Sequence, residues 1–196
     1  MVRNCDGCDA CCWMLPIEDD EIVKQSWTRC EHQINGDCGC SIYKKRPYVC
    51  KIFKCGWLLS NLGAHWKPSI SGMIINFGVF PTETLGVWVS KESEDLWRKD
   101  PFFSELCEIA AQYLLNFRQL TFVYPHGFKK GESDYFAIDH MGREPLRAHP
   151  DEAVCFYDNR LFRINTALTE RWGLDGATDL FNKGWYVDGT ELKCSL

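Results

Sequence analysis

The clearest pattern along the chain is helical. Over residues 101–118, Phe102, Phe103, Leu106, Ile109, Ala110, Tyr113, Leu114 and Phe117 recur at three- and four-residue steps, the spacing of one buried helix face. Asp100 and Pro101 precede it as an N-cap and first-turn pair. Strand-like runs lie on either side. "GMIINFGVF" (72–80) and "LGVWVS" (85–90) flank "PTET" and predict an antiparallel hairpin. "LTFVYP" (120–125), "DYFAID" (134–139) and "RLFRIN" (160–165) predict further strands, with a loop at "HMGREPLRAHPDEA" (140–153). From "ALTERWG" to "GWYVDG" no pattern assigns an element. Strands separated by short turns around one strong helix predict an α+β fold with a mostly antiparallel sheet. Alternating βαβ units are not evident.

The N-terminal third reads differently. "IEDDEIVKQSW" (17–27) predicts a short helix. "KKRPYVCKIFKCGWLLSNL" (44–62) predicts a better one, with Pro47 in its first turn and a stripe of Val49, Ile52, Phe53, Leu58, Leu59 and Leu62.

Composition changes this picture in one respect. The 196 residues are 45% hydrophobic, ordinary for one domain or for a domain with a small appended module. The apolar runs are too short to span a bilayer. "MVRNCDGC" has no apolar leader core, so the expected location is cytoplasmic. What is unusual is cysteine: nine of the twelve fall within residues 5–55, leaving only Cys107, Cys155 and Cys194 beyond. This divides the chain into an irregular, metal-stabilised cysteine-rich module (1–66) and an α+β region (67–196), expected to pack as one compact unit. Cys107 on the apolar helix face and Cys155 in "AVCFY" read as core, and Cys194 as an exposed residue near the terminus.

Thiols in a reducing compartment point to metal or redox chemistry before a disulfide framework, and a chain of this length builds a core without cross-links. Cys5-x2-Cys8-x2-Cys11 is the step by which a short loop wraps a metal centre. Adjacent side chains tend to diverge, so Cys11 and Cys12 are expected to serve different metal positions, in either two neighbouring sites or one polynuclear site. The remaining sulfurs come from Cys30, Cys38, Cys40, Cys50 and Cys55. Two all-thiolate tetrahedral sites use eight sulfurs and leave one of the nine spare.

Cys5-x2-Cys8-x2-Cys11-Cys12, followed by the isolated Cys30, then by Cys40-Ser41-Ile42-Tyr43, Arg46-Pro47, Cys50 and Phe53-Lys54-Cys55, resembles the CxxCxxCC family (YkgJ-type cysteine-cluster proteins), described as a zinc- or iron-chelating domain. The resemblance covers residues 5–58. It implies a metal-ligand set of Cys5, Cys8, Cys11, Cys12, Cys30, Cys40, Cys50 and Cys55, holding more than one zinc or iron ion or an iron–sulfur cluster. Cys38 departs from the pattern, two residues before Cys40, and competes with Cys30 for the ligand role. A lysine N-methylase acting on flagellin carries a related cysteine domain, which makes an iron–sulfur enzyme the alternative. No S-adenosylmethionine pocket is assignable here, and catalytic residues are not identified. Neither G-x-S-x-G, a P-loop, Rossmann glycines nor the radical-SAM cysteine spacing occurs.

Lys44, Lys45, Arg46, Lys51 and Lys54 lie between residues 41 and 54 without an acid among them. Two tetrathiolate centres with divalent ions carry about four net negative charges, and compensating them is the plain use of these cations. The sharper use is to grip an anionic partner such as RNA or a carboxylate cofactor. The net charge of −5 weighs against a zinc module for nucleic acid. His32 and His65 read as solvated or core histidines before ligands. His140 and His149 bracket a loop with Asp139, Glu144 and Asp151, donor types that an oxygen-and-nitrogen metal site also uses. Trp13, Trp27, Trp57 and Trp66 are expected to shield the thiolates from water.

Overall fold

The computed structural model describes residues 3–5, 7–34, 39–77, 84–117, 119–157, 159–165, 185–188 and 191–194. In chain order the N-terminal part contains α1 (Cys11–Met14), the two-residue strands β1 (Ile17–Glu18) and β2 (Val23–Lys24), and the short helices α2 (Tyr48–Ile52), α3 (Gly56–Leu59) and α4 (Pro68–Ser71). The rest comprises β3 (Met73–Phe77), β4 (Leu85–Val89), α5 (Phe102–Phe117), β5 (Thr121–Tyr124), β6 (Tyr135–Ala137), β7 (Leu146–Ala148), β8 (Glu152–Tyr157), β9 (Arg160–Asn165), β10 (Trp185–Asp188) and β11 (Glu191–Cys194).

A five-stranded sheet, ordered β3-β4-β5-β6-β7, is the centre of the fold. Its neighbours are antiparallel except β4 and β5, which run parallel. That single exception has a cause in the chain: α5 joins the two strands, so β4-α5-β5 is one crossover unit. β8 with β9 and β10 with β11 form separate antiparallel hairpins. The class is α+β, with one long helix and a mostly antiparallel sheet.

Strand register sorts the side chains into two faces. Ile74 pairs with Trp88, and Trp88 with Tyr124. This row packs with Ala10, Met14, Leu15 and Phe128. The neighbouring row, Ile75–Val87–Val123, packs with Phe102, Leu106, Cys107 and Ala110 of α5 and with Trp66 and Trp97. One face of the sheet is therefore covered by α1 and its neighbouring residues, and the other by α5 together with Trp66 and Trp97. With both faces covered, every residue of "LGVWV" is buried, which is why this strand reads as a continuous apolar run.

Several sequence expectations change. Residues 17–27 form the β1–β2 hairpin, because their inward positions, Ile22 and Lys24, are two apart. The stretch 44–62 is no continuous helix. A 3-10 turn (Tyr43–Lys45), α2 and α3 are separated by extended residues, Phe53 (ψ 127°) and Cys55 (ψ 160°), and Pro47 immediately precedes α2 instead of lying in its first turn. The predicted loop 140–153 contains β7 and the start of β8. The crossover unit was not evident from the pattern. In the predicted hairpin, residues 78–83 fall outside the described ones; its strands pair as expected. Cys107 is buried on α5 as its position implies, while the side chains of Cys155 and Cys194 fall outside the description. Among the described residues no helix is long and apolar enough to cross a membrane.

α3 meets the sheet through Gly56. A Cβ there would stand 2.7 Å from Ile75 Cγ2 and 2.8 Å from Phe77 Cε2, closer than carbon atoms approach. Gly56→Ala forces α3 and β3 apart and is expected to lower the unfolding free energy by about 1–3 kcal/mol, read as a lower urea midpoint at unchanged slope. An unchanged midpoint would mean that α3 is free to shift.

Candidate metal centre

The thiol-bearing segment is organised by backbone hydrogen bonds before any side chain acts. The Cys8 N–H donates to Cys5 O at 2.9 Å, closing a tight turn. Gly7 supplies the left-handed backbone (φ 66°) this turn needs. The chain then enters α1, with Cys12 N–H donating to Asp9 O at 2.8 Å and Met14 N–H to Ala10 O at 2.9 Å. Ala10 and Met14, one turn apart, face the sheet. Cys11 and Cys12 are consecutive on this turn and so point about 100° apart.

Later segments are tied to the same turn. Cys30 N–H donates to Cys12 O at 2.9 Å, which sets Cys30 beside Cys12. Cys40 returns through an antiparallel bridge with Gln33, supported by Ser41 N–H on His32 O at 2.8 Å. Cys50 rides on α2 and Cys55 caps α3. All eight cysteines singled out from the sequence, Cys5, Cys8, Cys11, Cys12, Cys30, Cys40, Cys50 and Cys55, line one cavity of about 480 Å³. Cys38 lies outside the described residues. None of the nine cysteines whose side chains are described is disulfide-bonded. No three His, Cys, Asp or Glu side chains among the described residues converge tightly enough to hold an ion as they stand. What the eight thiols share is the cavity and each other's charge.

Those charges divide them. Burial is the main reason the Cys55 thiol is pushed up; the neighbouring thiols that add to it are Cys5 and Cys8, while the N–H groups of Leu58 and Trp57 favour its thiolate. Cys50 is likewise raised, first by burial and then by Cys12, Cys30 and Cys40, with Arg46 opposing. Cys11 and Cys12 form a hydrogen-bonded pair across the divide. That bond holds Cys11 well above the ordinary thiol range, where burial and the charges of Cys12, Cys8 and Cys5 also push it. The same bond lowers Cys12 to about 7, with Lys24 and Arg46 assisting against burial and Asp9.

Lys24 is a residue the sequence reading did not single out. Its side chain is buried on the inner face of the β1–β2 hairpin, and Nζ donates to Gln25 O and Thr28 O at 3.1 Å each and to Leu15 O. Burial lowers its pKa, against the pull of Cys30, Cys12, Cys11 and Cys50. The available signal was the period of two from Ile22, which puts Lys24 on the inner face; a lysine at such a position needs partners.

The other candidates separate. His32 lines the cavity and lies 3.8 Å from Glu31. His65 is bound to Glu105 at 3.0 Å and packs on Phe102, away from the thiols. The 139–151 donors form distinct contacts. Asp139 takes Arg143, Glu144 lies 3.8 Å from Arg98, His149 bonds Asp134 at 2.9 Å, and His140 packs on Phe156. Trp13 and Trp27 pack, like Cys8, Cys11 and Cys55, against the core row of Ile74, Trp88 and Tyr124, and neither ring lines the thiol cavity. Trp66 and Trp57 instead join the core under α5.

No protein-family model, curated protein or solved structure matches the chain.

Lys24→Met removes the donor from three inward-facing carbonyls and a cation from beside four thiols. It is expected to lower the unfolding free energy by about 2–3 kcal/mol, measured by chemical denaturation. Wild-type stability would show that the carbonyls find other donors.

Proposed function

We propose that the chain is a metal-chelating protein of the CxxCxxCC type, holding two zinc or iron centres through eight cysteines. One set is Cys5, Cys8, Cys11 and Cys55; the other is Cys12, Cys30, Cys40 and Cys50. The observation that carries this reading is that eight free thiols line one cavity, with Cys55 near Cys5 and Cys8, and Cys50 near Cys12, Cys30 and Cys40. An all-sulfur donor set suits zinc and iron and disfavours magnesium or calcium. A closed thiolate shell holds zinc structurally, and four thiolates also hold an iron–sulfur cubane. The chain's own residues supply what either needs: Lys24 and Arg46 as compensating cations, and backbone N–H groups directed at Cys55. A reducing cytoplasmic setting keeps the thiols available for metal.

Each set is testable by subtraction, with metal content measured by mass spectrometry on anaerobically purified protein. The wild-type chain is expected to carry two centres. Cys8→Ala and Cys55→Ala each lose one, and the two together lose no more than either alone. Cys8→Ala with Cys30→Ala loses both. Wild-type content in Cys8→Ala would remove Cys8 from the ligands, and full loss in every single variant would replace two centres with one polynuclear unit. The optical spectrum of the same preparation separates zinc from iron: colourless for the former, brown with labile sulfide for the latter.

A further inference from the structure

A second cavity, of about 600 Å³, opens on the outer side of Cys5. Four cations line it, Arg3, Arg46, Lys51 and Lys54, and among the described residues no carboxylate does. It shares Cys5, Tyr43, Arg46, Phe53 and Leu58 with the thiol cavity and is otherwise separate from it. In a chain of net charge −5, a wall of one sign is a specific arrangement.

Both arginines are held in place. Arg3 Nη1 donates to Trp57 O at 2.6 Å and Nη2 donates to Leu62 O, with the guanidinium 4.9 Å from the Trp57 ring centroid. Two of its five N–H groups are used by these carbonyls. Arg46 lies 4.2 Å over the Tyr43 ring. None of the ion pairs formed by the described residues involves Arg3, Arg46, Lys51 or Lys54.

Balancing thiolate charge is the competing use for these groups, and it accounts for only part of them. Arg46, with the buried Lys24, acts on Cys12 and Cys50. Lys51 and Lys54 are exposed and line the second cavity without lining the first.

We propose that this cavity binds a phosphorylated small molecule of nucleotide size. Guanidinium forks fixed by carbonyls and ring faces suit the paired oxygens of a phosphate, and two mobile ammonium groups add charge without demanding one geometry. The volume lies within the range of small-ligand sites. Tyr43, Phe53 and Leu58 offer the apolar wall that a ring or chain attached to the phosphate requires. The proposal does not depend on which metal the thiols hold.

Calorimetric titration of the full chain, purified with its own metal, tests the site with pyrophosphate, ATP and a single-stranded RNA oligonucleotide. Pyrophosphate and ATP are expected to bind, ATP the more tightly. Lys51→Ala with Lys54→Ala is expected to weaken ATP by about tenfold or more at unchanged metal content. Absence of binding by either small anion overturns the proposal, as does equal affinity in the double variant. Binding of RNA alone overturns it in favour of a nucleic-acid surface. Where the variant loses metal or folds poorly, the wild-type chain decides. ATP is expected to shield Lys51 and Lys54 from acetylation relative to Lys44 and Lys45, and equal labelling with and without ATP overturns the assignment.

Discussion

A single turn of helix makes too few internal hydrogen bonds to hold itself, and α1 is held by the sheet. Ala10 and Met14, both buried, seat one side of the turn on the row Ile74–Trp88–Tyr124. That contact fixes the backbone turn that carries Cys11 and Cys12, whose thiols hydrogen-bond to each other; Cys11 also lies near Cys5 and Cys8, and Cys12 near Lys24 and Arg46. The Cys12 carbonyl then receives the N–H of Cys30, and α3, seated through Gly56 on the same sheet, brings Cys55 towards Cys5 and Cys8. An otherwise irregular segment acquires a defined geometry because a conventional sheet lies beneath it.

How much of this was legible in the sequence depends on whether a feature is periodic. The α5 helix and strands β3, β4, β5, β6 and β9 carry their signal in apolar spacing, and the structure has each near its expected place. β7 and the start of β8 were hidden because "REPLRAHPDEA" carries its buried residues, Pro145 and Ala148, among charged positions and without a strand's alternation. The β1–β2 hairpin was read as a helix because its inward residue is Lys24, which hydropathy scores as surface. Its burial is made tolerable by three carbonyls that no local pattern reveals. The helix expected over 44–62 fails at Phe53 and Cys55, where the backbone extends so that consecutive short helices meet both cavity and sheet. The cysteines themselves were legible as a group, and eight of them line one cavity. The hydrogen bond between the Cys11 and Cys12 thiols was not legible, since spacing along a chain does not say how neighbouring side chains turn.

Charge is the second organising constraint. Eight sulfurs around one cavity repel one another when ionised, and the chain meets this with cations of two kinds. Lys24 approaches from inside, fixed by carbonyls. Arg46 approaches from outside, over the Tyr43 ring. The positive residues of 44–54 therefore have separable duties, because only Arg46 among Arg46, Lys51 and Lys54 borders both cavities. A basic stretch that looks uniform in sequence is divided by which wall each side chain joins.

The central claim is that sulfur alone surrounds the bound ions. X-ray absorption at the metal edge, on protein isolated anaerobically, tests it directly. The account predicts a first shell of four sulfurs at about 2.3 Å with no nitrogen or oxygen contribution. A mixed shell containing histidine nitrogen or carboxylate oxygen, or folded protein bearing neither zinc nor iron, would contradict it.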